Sequence, residues 1–482
     1  MMSDAPVGES AMTRKGAPKR VHFIGICGTA MATLAAMLKQ TGADVQGSDQ
    51  DVYPPMSDLL AAEGITTFSG YSPDHLSPDL DLVVVGNAIS RGNVELEAVL
   101  DRKLRFCSLP EAIRDHFLWG ARPIVVAGTH GKTTTTALAG WVLTAGGLDP
   151  SVLVGGIARN FGDQGASYRL GHGLTFVIEG DEYDSACFDK TAKFLKYLPD
   201  IAVINNIEFD HADIYPDLEA VRVAFRRLVN LVPRGGLLLL GVDSPEVRPL
   251  ESLAHSRVET FGLSDEATWQ AIGLQAGPTS TRFGVRRHGS AVGTFEIPLL
   301  GTHNVRNALA AIAVATECGL SVAAIGGALM QFSGVKRRLE VVGQAGGVRV
   351  YDDFAHHPTA VAVTLAGLRA SNPEARIWAV FEPRSASSCR RVFQDAFATA
   401  FSAADRVVFA PVFRSTLPEA ERLSVPGLVD DVRRLGGWAH AAASLDEIIT
   451  TVAGGARAGD LVVIMSNGGF GGIHRKLLLA LA

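Results

Sequence analysis

The heptapeptide Gly128-Thr129-His130-Gly131-Lys132-Thr133-Thr134 stands between the apolar run Pro123-Ile124-Val125-Val126-Ala127 and a segment with helical spacing of its apolar side chains. A glycine-bearing turn at such a junction leaves backbone N–H groups unpaired at the positive end of the helix dipole, which suits a triphosphate. Lys132 is then expected to neutralise β- and γ-phosphate oxygens, and the Thr133 hydroxyl stands where Mg2+ coordination is expected. The general phosphate-loop pattern GxxxxGK[ST] wants glycine at position 126, where this chain has Val126, so the loop is a shorter GTxGKT variant.

Magnesium in such sites adds one or two carboxylates to the substrate phosphates and waters. Glu179 follows the strand-like Phe176-Val177-Ile178 and opens the acidic cluster Glu179, Asp181, Glu182, Asp184. Carboxylates at a strand's C-terminal end lie where open α/β sheets bind ligands. Asn205-Asn206-Ile207-Glu208-Phe209-Asp210-His211 follows the next apolar strand, and His211 beside Asp210 is a candidate ligand of a second metal. A solvated acidic loop and a structural histidine are the plain alternatives.

Three restarts of strand, turn and helix must position these residues. Val21-His22-Phe23-Ile24-Gly25-Ile26 runs into a glycine-rich turn and a helical pattern from Met31 to Leu38, with further strands at Asp44 to Ser48 and Leu82 to Val85. The second restart, at Pro123, continues through Thr175 to Ile178, Ile201 to Ile204 and Leu237 to Leu240. The third, near Val348 to Tyr351, leads through Ile377 to Phe381 and Arg406 to Phe409 to Leu461 to Met465. The reading is an α/β protein with mainly parallel strands in domains 19–118, 119–333 and 334–482, behind a flexible tail at 1–18.

Length and composition agree, since 482 residues correspond to about three domains. A formal charge of −6 without a long basic block argues against nucleic acid as a partner. Five scattered cysteines, never paired as CxxC, suggest neither a disulfide framework nor a zinc site and fit a reducing cytoplasm. No run of about 18 apolar residues and no secretory h-region is found, so no membrane association is expected.

The residues resemble the muramate ligase family, the ATP-dependent amide-forming enzymes of bacterial cell-wall synthesis. The carriers, in order, are 128–134, Glu179-Gly180-Asp181-Glu182, Asn206-Ile207-Glu208 with Asp210-His211, His303-Asn304-Val305-Arg306-Asn307, Gly334-Val335-Lys336-Arg337-Arg338 and Asp352-Asp353-Phe354-Ala355-His356-His357-Pro358-Thr359. The resemblance covers essentially the whole chain after the tail. It implies a Rossmann-like N-terminal domain for a UDP-sugar, a central P-loop ATPase domain and a Rossmann-like C-terminal ligase domain for a peptide. It also implies Gly128 to Thr134 around ATP, Lys132 on the phosphates, Thr133 and Glu179 on a first Mg2+ and His211 on a second. Asn304 would lie near adenine, Arg338 near the γ-phosphate and Asp353 near the ribose. Many relatives carry a carbamylated lysine soon after the Asp-His pair. This chain has Val223-Ala224-Phe225-Arg226 there, as in the branch whose acceptor is UDP-N-acetylmuramate.

Two kinds of enzyme share that acceptor, one adding free L-alanine and one adding the preformed murein tripeptide L-Ala-γ-D-Glu-meso-diaminopimelate. Gly25-Ile26-Cys27-Gly28-Thr29, the segment 51–57, Phe381-Glu382-Pro383-Arg384-Ser385 and the stretch 465–474 look like the tripeptide branch. The alternative is the L-alanine branch. In the first domain a G-x-G-x-x-G fingerprint would need glycine at Cys27 and Ala30, which disfavours a dinucleotide. Gly25, Cys27, Gly28 and Thr29 remain candidates for the UDP diphosphate, with Ser48, Asp49, Asn87 and Ser90 as further contacts or ordinary turn residues. Arg384 is the candidate for a peptide carboxylate, because its planar fork binds carboxylates bidentately. Ser466, Asn467 and Gly468 are candidates for holding the peptide, and His356 for the base that takes the amine proton. A nucleotide-driven switch and a catalytically silent binding protein are the readings from other classes. Each predicts ATP chemistry without the sugar, or none.

Overall fold

The computed structural model describes residues 18–52, 56–413 and 417–482. The expected tail therefore lies outside the described residues except for Pro18, as do Tyr53, Pro54 and Pro55 of the segment 51–57. The chain divides into two compact units, Met1–Pro123 with Tyr183–Leu198, and Ile124–Glu182 with Pro199–Ala482.

The first unit is built on a five-stranded sheet in the order Thr66–Ser69, Asp44–Asp49, Arg20–Ile24, Leu82–Val85, Phe106–Ser108. All four pairings are parallel. A parallel sheet is covered on both faces, which is why Leu82-Val83-Val84-Val85 is apolar at every position and buried throughout. Helix Thr29–Gln40 covers one face through Met31, Leu34 and Leu38. The strand order reverses at the central pair Arg20–Ile24 and Leu82–Val85, so the turns after their C-terminal ends, at Gly25 and Asn87, border the crevice where such sheets take ligands. The antiparallel hairpin Asp184–Ala186 and Asp189–Ala192 belongs to this unit, although its sequence falls in the stretch expected for the central domain.

The second unit holds two sheets. The ten-stranded one runs Ser290–Ile297, Thr281–Arg287, Trp269–Ala276, Arg257–Gly262, Leu237–Gly241, Ile201–Ile204, Arg122–Ala127, Thr175–Glu179, Ser151–Ala158, Ala166–Arg169. Its apolar centre packs helices Lys132–Ala145 and Thr302–Glu317 against Ile124, Val126, Val177 and Val203. The six-stranded sheet runs Glu340–Ala345, Val348–Asp353, Leu461–Met465, Ile377–Phe381, Arg406–Phe409, Trp438–Ala441. Only its first strand is antiparallel. The apolar runs read from sequence are all strands here. The antiparallel strands 269–297 escaped that reading because they alternate buried and exposed residues on a half-covered edge.

Candidate active site

The second unit contains a cleft of about 850 Å3 lined by the turn 129–134, Glu179, Asp181, the stretch 205–211, His303, Asn304, Arg338, Asp353 and His356. Its floor is the turn between strand Arg122–Ala127 and helix Lys132–Ala145. Gly131 is the N-cap at φ +81°, and a Cβ there would stand 2.4 Å from Asn307 Oδ1, so the position requires glycine. Thr129 N donates to the Asn206 carbonyl at 3.1 Å and His130 N to Asn206 Oδ1 at 2.7 Å. Lys132 Nζ donates to the Gly128 carbonyl at 2.7 Å and to both Glu182 carboxylate oxygens at 2.7 and 2.9 Å. Burial pulls the Lys132 ammonium down, but Glu182, Asp181 and Glu179 together outweigh it and hold the group above its ordinary value. The lysine is thus charged and already seated among acceptors that incoming phosphate oxygens would replace.

Thr133 Oγ1 donates to Glu179 Oε1 at 3.1 Å, and Gly155 N to Glu179 Oε2 at 2.7 Å. Burial raises the Glu179 carboxyl above its ordinary value against the opposing charges of Lys132 and Arg338. A hydroxyl beside a desolvated carboxylate in a phosphate cleft is the donor set a hard cation takes, so Thr133 and Glu179 fit Mg2+. Asp181, Glu182 and His211 offer ligand atoms within 4.8 Å of one another. Burial lowers the His211 imidazole, yet the hydrogen bond and charge of Glu182 and the charge of Asp210 lift it to about 9. The cluster concentrates negative charge around the ring, and a metal ion held there would replace the imidazole proton.

Arg338 Nη2 stands 3.2 Å from Thr133 Oγ1, which puts its guanidinium beside the Thr133 and Glu179 pair. Asp353 lines the same cleft, but its carboxylate accepts from Ala355 N at 2.8 Å and Leu339 N at 2.6 Å and so shapes the turn at 337–339. Asn304 Nδ2 donates to the Leu300 carbonyl at 2.8 Å, and its Oδ1 accepts from Asn307. His356 Nδ1 bonds the Phe354 carbonyl at 3.0 Å, leaving Nε2 3.9 Å from Asp210. Burial lowers the His356 imidazole, so it rests neutral, as a base must.

Arg384 lies over the Phe413 ring, 3.7 Å from its centroid, with Glu382 Oε1 at 3.6 Å from Nη1. A Cβ at Gly468 would meet Arg384 Nε at 2.1 Å, so the loop 466–468 passes directly beneath the guanidinium. Arg337 holds that loop by donating to the Ser466 and Gly468 carbonyls at 2.5 and 2.8 Å. The Ser466 hydroxyl is committed to Glu382. Asn467 Oδ1 is buried without a hydrogen-bond donor, an acceptor left for a ligand N–H.

In the first unit, Gly28 and Thr29 are exposed at the start of helix Thr29–Gln40, next to Gly25 at φ +84°. Asp49 accepts from Cys27 N at 2.7 Å and so braces the turn. Asn87 Nδ2 donates to Asp184 at 2.9 Å, and Ser90 is exposed. Ser48 stands apart from the other candidates of this unit. It is fully buried and gives its hydroxyl to Glu95. Glu95 also binds His75 Nδ1 at 2.6 Å, Ser72 N at 3.0 Å and His22 Nε2 at 3.3 Å. Replacing Glu95 with alanine strands these buried polar groups and lowers stability by about 3–5 kcal/mol. A urea-unfolding midpoint equal to that of the parent protein would contradict this.

Sequence reasoning did not single out Glu182, Asn206, Glu208, Asn307, His357 or Thr359 as site residues. Asn307 lies three residues after Asn304, one helical turn along the same face, which was a usable signal. Glu208, His357 and Thr359 stand in motifs that carry the family resemblance, but nothing in their spacing brings them together. Thr359 Oγ1 donates to Glu208 Oε2 at 2.7 Å and His357 Nε2 meets the Phe209 carbonyl at 3.2 Å, contacts made across about 150 residues of chain.

Comparison with known proteins agrees with this geometry. Three family models match, described as "Mur ligase family, catalytic domain" over residues 20–118, "Mur ligase middle domain" over 126–315 and "Mur ligase, glutamate ligase domain" over 337–468. The chain is 41% identical over 466 residues to the UDP-N-acetylmuramate–L-alanyl-γ-D-glutamyl-meso-2,6-diaminoheptandioate ligase of Escherichia coli, covering 96% of this chain and 98% of that one. It is 37% identical to the UDP-N-acetylmuramate–L-alanine ligase of Salinibacter ruber, covering 87% and 86%. Among solved structures, a murein peptide ligase from Psychrobacter arcticus superposes with a TM-score of 0.71 at 37% identity, covering 96% of this chain and 98% of that one. The UDP-N-acetylmuramate–alanine ligase of Thermotoga maritima superposes with a TM-score of 0.78 at 25% identity, covering 95% and 98%. With three family models matched in order along residues 20–468 and 41% identity over nearly the whole of a relative, the chain belongs to the Mur ligase family.

Proposed function

We propose that the chain is an ATP-dependent amide ligase joining UDP-N-acetylmuramate to the tripeptide L-Ala-γ-D-Glu-meso-diaminopimelate, in the recycling of peptidoglycan. The reading rests on Lys132, Thr133, Glu179 and Arg338 meeting in one cleft of a chain 41% identical to an Escherichia coli ligase bearing that name. The muramoyl carboxylate attacks the γ-phosphorus of ATP, the bond to ADP breaks, and an acyl phosphate forms. The tripeptide's terminal amine attacks the acyl carbon, phosphate leaves, and the amine proton passes to a base, for which His356 is our candidate. Such catalysis is mostly positioning and electrostatics, so Lys132 and Arg338 spread the charge of the moving phosphoryl group. Bound Mg2+ would neutralise phosphate charge, with Thr133 and Glu179 holding one ion and His211 a second.

In this scheme residues 19–118 take the UDP-sugar through Gly25, Cys27, Gly28, Thr29, Asp49, Asn87 and Ser90. Residues 119–333 take ATP, with Asn304 at adenine and Asp353 brought to the ribose from the domain that follows. Residues 334–482 take the peptide through Arg384, Asn467 and Gly468. The five free cysteines suit a reducing cytoplasm, and among the described residues no helix is long and apolar enough to cross a membrane.

The L-alanine ligase is the second reading, favoured by the higher TM-score of the Thermotoga maritima structure. Identity over the whole chain argues the other way, 41% against 37%. Phosphate release from Mg-ATP with UDP-N-acetylmuramate, comparing L-alanine with the tripeptide and weighing the product, decides. We expect turnover with the tripeptide and the mass of UDP-muramoyl-tripeptide. Turnover with L-alanine alone would make this the first-step ligase, and release without either acceptor would favour a nucleotide switch.

A further inference from the structure

We propose that His130, Glu208 and His357 form a binding site for a divalent transition-metal ion of the zinc class. One ligand atom from each lies within 4.8 Å of the others. The three come from distant segments of one compact unit: the phosphate turn, the stretch after strand Ile201–Ile204, and the N-cap of helix Pro358–Ser371. They share no residue with the Asp181, Glu182 and His211 cluster.

The His357 ring decides the chemistry. Its Nε2 stands 3.2 Å from the Phe209 carbonyl, which can only accept, so Nε2 carries the proton and Nδ1 carries the lone pair. Nδ1 lies 3.4 Å from Glu208 Oε2, a second acceptor. The Thr359 backbone N–H donates to Nδ1 at 3.3 Å as the N-cap bond of the helix, and an ion bound at Nδ1 would replace it. On the other side of the carboxylate, His130 Nε2 stands 3.2 Å from the same Oε2. Around a tetrahedral ion with bonds of about 2.0–2.1 Å, neighbouring ligand atoms stand about 3.3 Å apart. The two edges that meet at Glu208 measure 3.2 and 3.4 Å.

The surrounding contacts are those of a metal site. Ligating histidines donate their other ring N–H to a carbonyl or carboxylate, and ligating carboxylates are themselves hydrogen-bonded. The Phe209 carbonyl on His357 and the Thr359 hydroxyl on Glu208, at 2.7 Å, fill both roles. Two imidazoles and one carboxylate suit zinc and its late first-row neighbours, whereas Mg2+ takes oxygen ligands. A bound ion would tie the phosphate turn to the start of helix Pro358–Ser371, joining elements of the ten-stranded and six-stranded sheets.

The test is titration of the nucleotide-free protein with Zn2+ alone, followed by calorimetry and by competition with a chromogenic chelator. We expect one tight equivalent that depends on His130 and His357, separable from any equivalent held by the Asp181, Glu182 and His211 cluster. His357→Gln and, as a second variant, His130→Gln should each weaken it by about tenfold or more, while His211→Gln should leave the equivalent that depends on His130 and His357 unchanged. X-ray absorption at the zinc edge should show two imidazole ligands. Absence of tight binding, unchanged affinity in both triad variants, or loss in His211→Gln alone would each overturn the proposal. None of these outcomes depends on which acceptor the enzyme ligates, so the site and the ligase reading fail separately.

Discussion

Replacing Lys132 with methionine lowers kcat/KM for ligation by about 10³-fold, the loss seen when one preorganised charge is removed from a phosphoryl-transfer site. In free energy this is about 4 kcal/mol of lost transition-state stabilisation. The ammonium is fixed by the Gly128 carbonyl and both oxygens of Glu182, so it needs no reorganisation to meet a phosphate. Methionine keeps the length of the side chain and removes the charge. Glu182, which is 2% exposed, keeps His211 as a partner at 3.1 Å, so the variant is expected to fold. Arginine fails as well, because its planar fork cannot enter a turn closed by a carbonyl at 2.7 Å from Nζ. Phosphate release with both substrates saturating, beside a thermal melt, checks the result. A folded Lys132→Met variant that loses less than about tenfold would remove Lys132 from the chemistry.

Arg384→Ala raises the KM for the tripeptide by about 10–100-fold and leaves the KM for ATP unchanged, since a hydrogen bond to a charged group is worth about 1.5–3 kcal/mol. A KM effect with little change in kcat is the signature of binding that ground and transition states share. Gly468→Ala is expected to act in the same direction without touching the charge. Its Cβ would stand 2.1 Å from Arg384 Nε, so the guanidinium must leave its seat on Phe413. The pair of variants separates loss of the cation from loss of its position. Initial rates against tripeptide concentration measure both, and an unchanged tripeptide KM in the two variants would place carboxylate recognition elsewhere.

These variants also mark how far the sequence could be read. Lys132, Thr133 and Glu179 were legible because a glycine turn between strand and helix, and a carboxylate at a strand end, are local patterns with a direct chemical meaning. The central strands were legible for a related reason. A parallel strand covered on both faces is apolar at every residue, as in Leu237–Gly241, whereas Ser290–Ile297 at a sheet edge mixes polar and apolar residues and is half-exposed. The hairpin 184–192 carries no such run, so its membership of the first unit was invisible until it folded.

Ser48 illustrates the limit from the other side. A serine at the end of a strand that borders a crevice reads as a ligand contact, and only the packing of Glu95 against it reveals a buried structural hydroxyl. By itself the sequence determined the α/β class, the strand–turn–helix at 122–145 and the family, because each is written in short-range spacing. The tertiary structure alone decided that Glu182 engages Lys132, that Gly468 lies beneath Arg384, and that Glu208 gathers His130, His357 and Thr359. Those groupings join residues about 50 to 150 positions apart, and side-chain chemistry acts over a few ångströms of space regardless of distance along the chain.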